Sequence, residues 1–151
     1  MRSSKAIPYQ LRTIYFSPIK PYSALSNKLK TTLTAIHVKL KDNPTQAPFT
    51  LAITQDDFVT SRAEITNANL PSSISYTQTA TIAISSNTTK KVIISKSFSA
   101  SVSVILNVNQ LYMPSSDYEI KNTLNQAVVT QIYYWITTDN LKMLLKNATH
   151  A

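Results

Sequence analysis

Glycine is absent from all 151 residues, where average usage near 7% would supply about ten. This removes every standard motif in which the backbone must turn left-handed or press against a ligand. The Walker phosphate loop, the dinucleotide-binding turn, the nucleophile elbow of serine hydrolases, the EF-hand calcium loop and the KH-type RNA clamp are all excluded. Turns must be built from Asn, Asp, Ser and Pro. Cysteine is absent too, which excludes disulfides, thiolate metal sites and a cysteine nucleophile. No basic start followed by an apolar run marks a secretory signal, and no stretch approaches the roughly 20 apolar residues of a membrane span. The expectation is a chain that is intracellular, at least when made.

Acidic side chains are missing from residues 1–41, which hold eight basic ones (Arg2, Lys5, Arg12, Lys20, Lys28, Lys30, Lys39, Lys41). Residues 42–151 hold seven of each sign, so the leading segment carries the whole formal charge of +8. A neutral body with a basic leader is the pattern of a chain that meets phosphate or an acidic partner surface.

Long helical periods are also scarce on a first reading. Pro8, Pro18 and Pro21 fall among Tyr9, Tyr15, Phe16 and Tyr22, which favours extended chain over helix. Period two then dominates. Ile36, Val38 and Leu40 alternate with His37, Lys39 and Lys41; Phe49, Leu51 and Ile53 follow, ending at Gln55-Asp56-Asp57; Ile74, Tyr76, Ala80, Ile82 and Ile84 keep one parity. Residues 85–89, Ser-Ser-Asn-Thr-Thr, read as a hairpin turn before Val92, Ile94 and Phe98. Val102 to Val108 alternate again, and Ala127 to Ile136, rich in Val, Ile, Tyr and Trp, read as a last strand. Thr137-Thr138-Asp139 resembles a helix cap ahead of Leu141, Met143, Leu144 and Leu145.

The expected architecture is therefore all-β, an antiparallel β-sandwich of jelly-roll or Ig-like type over residues 31–151. An extended basic arm at 1–30 precedes it and a short C-terminal helix closes it. Residues 65–89, 97–116 and 122–138 contain no charge. A free monomer normally defends strand edges with charge, so these faces point to burial in an assembly.

Catalytic chemistry finds little purchase. His150 is next to the terminus, and His37 has no carboxylate in the sequence to orient it as a base. Asp117 and Glu119 share a side of an extended chain but offer two of the six to eight oxygens calcium needs. Asp56 and Asp57 diverge on a strand or cap a turn. Tyr133, Tyr134 and Trp135 pack as core more readily than they form a platform. We expect no enzyme activity, no metal and no cofactor.

The strongest constellation is the basic arm with aromatic rings interleaved: Arg2, Lys5, Tyr9, Arg12, Tyr15, Lys20, Tyr22, Lys28 and Lys30. Cations there can neutralise phosphates while rings stack on bases, or the arm can dock on a neighbouring subunit. The expectation is a structural subunit of a larger assembly, a virion component such as a capsid, penton, decoration or tail protein, put together in the host cytoplasm. Its partners would be copies of itself or other structural subunits, with nucleic acid met through residues 1–41. The alternatives are a barrel that binds single-stranded nucleic acid and a receptor- or sugar-binding adhesin domain.

Overall fold

The structure, a computed structural model, describes residues 7–63, 72–106 and 114–149. It is a two-layer α/β arrangement and not a sandwich. Five strands form one mixed sheet in the order β2-β1-β3-β4-β5. The strands are β1 (Thr13–Pro18), β2 (Lys39–Lys41), β3 (Phe49–Ala63), β4 (Ser72–Ser86) and β5 (Val92–Leu106). Three helices, α1 (Ala24–Ala35), α2 (Pro114–Ile136) and α3 (Asp139–Thr149), complete the fold.

The segment expected to be an extended arm is a central piece of this sheet. Strand β1 lies between β2 and β3 and runs parallel to both, with Ile14 opposite Leu40 on one side and Phe49 on the other. Parallel neighbours need a crossover, and α1 supplies it. Ser23 caps the helix, its Oγ accepting from the N–H of Ser26 at 3.0 Å. Leu25, Leu29 and Leu33 follow at spacings of four, which stacks them on one face, and all three are buried. The end of α1 is a Schellman motif: Val38 N–H donates to Leu33 O and His37 N–H to Thr34 O. His37 occupies the left-handed position at φ 71°, which glycine ordinarily fills and which costs other residues about 1 kcal/mol or more.

Strands β3, β4 and β5 form a long antiparallel meander. Strand β3 does not end at Asp56-Asp57 but passes through an irregularity between Ile53 and Gln55 and continues to Ala63. The β4–β5 turn closes with Lys90 N–H on Ser86 O and Lys90 at φ 62°. This is a second position that favours glycine.

All three helices serve one face of the sheet. On that face β4 presents Ile74, Tyr76, Gln78, Ala80, Ile82 and Ile84, every one buried. Opposite them stand Leu25, Leu29 and Leu33 of α1, Val128, Val129, Ile132 and Ile136 of α2, and Leu141 and Leu145 of α3, within one apolar cluster. Trp135 meets Phe98 of β5 with ring centroids 5.4 Å apart. A smaller cluster of Ile74, Tyr76 and Leu124, with Phe58 and Ile120 against it, extends the core toward the far end of the long strands.

Residues 127–136 are thus helix where a strand was expected. Buried positions 124, 125, 128, 129, 132, 135 and 136 recur with the helical period. The local β propensity of Val, Ile, Tyr and Trp yields to the tertiary demand for an apolar stripe over the sheet. Helix α3 starts at Thr138, whose Oγ1 accepts from the Leu141 N–H at 3.4 Å.

Candidate functional site

The residues expected to act together in an arm are distributed around the molecule. Arg2 and Lys5 lie outside the described residues. Tyr9 and Arg12 flank a 3-10 turn, Tyr9–Leu11, at one end of the sheet, with the Arg12 guanidinium carbon 5.8 Å from the Tyr9 ring centroid. Tyr15 sits within β1, half-buried beside Lys41 of β2. Lys20 and Tyr22 follow β1 at the opposite end, where Tyr22 is 93% exposed and Lys20 faces Asp57 at 3.8 Å. Both partners of that ion pair are about half exposed, so it contributes about 0–1 kcal/mol. Lys28 and Lys30 ride on α1. Among the described residues, a cleft brings Tyr9 and Arg12 together, and the others lie apart from it.

The acids separate as a pleated strand requires. Asp57 is exposed, whereas Asp56 turns toward the helices and is buried. A buried carboxylate is tolerated only with full hydrogen bonding. Ser23 Oγ donates to Asp56 Oδ2 at 2.5 Å, and Gln78 Nε2 donates to Oδ1 at 2.9 Å. Ser26 Oγ in turn donates to the Lys20 carbonyl at 2.7 Å. This network joins the start of α1 to β3 and β4. Its side chains include no histidine, lysine or thiol. His37 is exposed in its turn and is not on a strand face with Lys39 and Lys41. Among the described residues no group of three or more His, Cys, Asp or Glu side chains is placed to hold a metal ion. His150 lies outside them. Trp135 is buried, while its neighbour Tyr134 is 57% exposed.

The face of the sheet away from the helices is the most unusual surface. Cross-strand rows recur every second residue: Gln55, Thr81 and Ser97; Asp57, Thr79 and Ser99; Val59, Thr77 and Ser101; Ser61, Ser75 and Ser103. Asp57 is the single charge in these rows. The hydroxyls bond to each other. Thr81 Oγ1 donates to Gln55 Oε1 at 2.8 Å and lies 2.8 Å from Ser97 Oγ, Thr77 pairs with Ser101 at 2.9 Å, and Ser75 with Ser103 at 3.0 Å. The sequence signal for this face was the absence of charge from 65–89 and 97–116. What sequence reasoning missed is that the serines and threonines of two strands share one side in register.

No helix among the described residues is long and apolar enough to cross a membrane. No protein-family model matches the chain, and no curated protein matches it. Solved structures do. A minor lipoprotein from Acinetobacter baumannii superposes with a TM-score of 0.58 at 17% identity, over 84% of this chain and 88% of that one. The rare lipoprotein B from Shewanella oneidensis gives 0.60 at 12% identity, over 91% and 97%. The lipoprotein B from Nitrosomonas europaea gives 0.61 at 11%, over 87% and 85%. At these identities the likeness is one of fold. The expectation of a virion subunit assembled in a host cytoplasm rested on a β-sandwich with a free arm. It falls with that architecture, as does the nucleic-acid barrel. The solved structures that share the observed fold include bacterial lipoproteins and, at a TM-score of 0.62 and 9% identity over 97% of this chain and 96% of that one, a putative neuraminyllactose-binding hemagglutinin homolog from Helicobacter pylori.

Proposed function

We propose that this protein is a non-enzymatic binding component of a bacterial cell envelope, of the kind represented by lipoproteins, which seats the open face of its sheet on a second envelope protein. The observation that carries this reading is the hydroxyl-paved face. Helices cover the other side over most of β3 and β4, so this side is the one left open to a partner. Its polar groups are largely paired among themselves, so they can leave water without the cost of about 1–3 kcal/mol for each orphaned group. Nearly uncharged, it avoids the larger cost of desolvating ions. The fold shared with lipoproteins over most of both chains supports the envelope setting, and the purely structural network around Asp56 supports a role without catalysis.

The test uses the absence of cysteine, which makes any introduced one unique. Thr79→Cys and Ser101→Cys on the open face and Tyr134→Cys on the helical side are each labelled with a photo-crosslinker in cells of the bacterium that encodes the chain. The expected result is one discrete adduct from the two open-face positions, identified by mass spectrometry as an envelope protein, and none from Tyr134. An adduct with a second copy would make the partner the protein itself. Equal yields from all three positions would overturn the reading.

A further inference from the structure

The two left-handed positions among the described residues, His37 and Lys90, lie at the same end of the sheet. There β1, β2, β3 and β5 begin and β4 stops, with Thr13 opposite Lys39 and Phe49 opposite Ser86. This rim exposes Arg12, Lys39, Lys41, Lys90 and Lys91, and Asp42 is its single acid among the described residues. Asp56, Asp57 and Glu119 lie away from this rim, where they are balanced by cations: Lys20 faces Asp57, and Lys121, two residues from Glu119, sits over the Phe58 ring. The charge is therefore polarised along the strands, which the net value of +8 does not convey.

We propose that this rim docks the protein on the surface of an anionic phospholipid bilayer. The cations supply the attraction to phosphate headgroups. Apolar side chains stand among them: Tyr9 is 79% exposed and Val92 63%, and a cleft beneath Tyr9 is walled by Arg12, Pro48 and Phe49. An aromatic ring flanked by cations matches the headgroup level of a membrane, where amphipathic rings concentrate. A single-stranded nucleic acid would call for a succession of stacking rings, and this rim offers one.

The rim is also rigid. Asn87 Nδ2 donates to the carbonyls of Pro44 at 3.0 Å and Ala47 at 2.9 Å, while its Oδ1 accepts from Thr50 Oγ1 at 2.6 Å. The β4–β5 turn that carries Lys90 and Lys91 is thereby pinned to the neighbouring loop. Lys90 is informative because glycine would fit its φ of 62° without strain.

The experiment is flotation of the full chain with vesicles of phosphatidylcholine alone and of phosphatidylcholine mixed with phosphatidylglycerol. Binding is expected to the mixed vesicles, to be negligible with phosphatidylcholine alone and to fall as salt rises. Each rim cation removed should weaken it about fivefold, so Lys39→Gln with Lys91→Gln should lose about twenty-five-fold. Lys90→Gly should lose about fivefold while its thermal midpoint holds or rises, which separates binding from folding. Lys121→Gln, at the opposite end, should change nothing. Equal binding to both vesicle types, equal damage from Lys121→Gln, or binding of an unrelated oligonucleotide without binding of vesicles would each overturn the proposal. The inference rests on the rim alone, so failure here leaves the reading of the open face standing, and the crosslinking result does not decide this one.

Discussion

The two faces of the one sheet are solved by different chemistry. Toward the helices, β4 offers Ile74, Tyr76, Ala80, Ile82 and Ile84, and stability comes from apolar area withdrawn from water, about 1.5–3 kcal/mol for each large side chain. Toward the outside, the alternate residues of the same strand, Ser75, Thr77, Thr79 and Thr81, are only half-buried, and Ser75, Thr77 and Thr81 pair across the sheet with Ser103, Ser101 and Ser97. A strand of 15 residues thus carries a folding code on one parity and a surface code on the other. The faces should therefore respond oppositely to substitution.

The largest expected effect is on the covered face. Ile82→Ala leaves a void beneath the helices and should cost about 2–5 kcal/mol, read from the midpoint of urea unfolding. A loss below 1 kcal/mol would mean that the helical layer does not clamp the sheet as described. Next comes the polar exception on that face. Asp56→Ala removes the carboxylate acceptor of Ser23 Oγ and Gln78 Nε2, leaving them only their weaker contacts to Ser26 Oγ and the Thr79 carbonyl, and denaturation should report a loss of about 1–3 kcal/mol. Asn125 tests the rule from the other direction, because its Nδ2 and Oδ1 are buried with no hydrogen-bond partner. Asn125→Leu should stabilise by about 1 kcal/mol, and a stability loss instead would show that this amide has a buried partner such as a water. The smallest effect belongs to the open face. Thr77→Val should shift stability by no more than about 0.5 kcal/mol, whereas Thr79→Lys should leave the unfolding midpoint in place yet abolish the crosslink from Ser101→Cys. A large stability change in Thr77→Val would dissolve the contrast between the faces.

The same contrast explains what could be read without coordinates. Period two in β3 and β4 and the turn at 85–89 were legible because each half-buried strand alternates apolar with polar side chains. Helix α1 was not read, although Ser23 as cap and Leu25, Leu29 and Leu33 at spacings of four were in view. Pro18 and Pro21 suggested extended chain, but both precede the helix, where proline does no harm. Helix α2 was missed because Val128, Val129, Ile132, Tyr133 and Trp135 are strand formers, and the sign that outweighed them was Pro114 at the first helical position. With two helices misread, the sheet lost its cover and a second sheet had to be supposed. The basic charge of the first 41 residues was legible as a total but not as a place, since Arg12, Lys39 and Lys41 gather with Lys90 and Lys91 only through the parallel pairing of β1 and β2.

The hydroxyl pairs of the open face have one further property. In Thr77 with Ser101 and Ser75 with Ser103, either oxygen can be the donor, whereas Thr81, whose proton goes to Gln55, accepts from Ser97. Turning two O–H bonds reverses the direction of a pair without displacing any heavy atom. The face can therefore present a lone pair or a proton at the same spot, as its neighbour requires, while the backbone stays fixed. Such a surface is tolerant in polarity and strict in shape, and a partner could drift in sequence at the contact while keeping its contour.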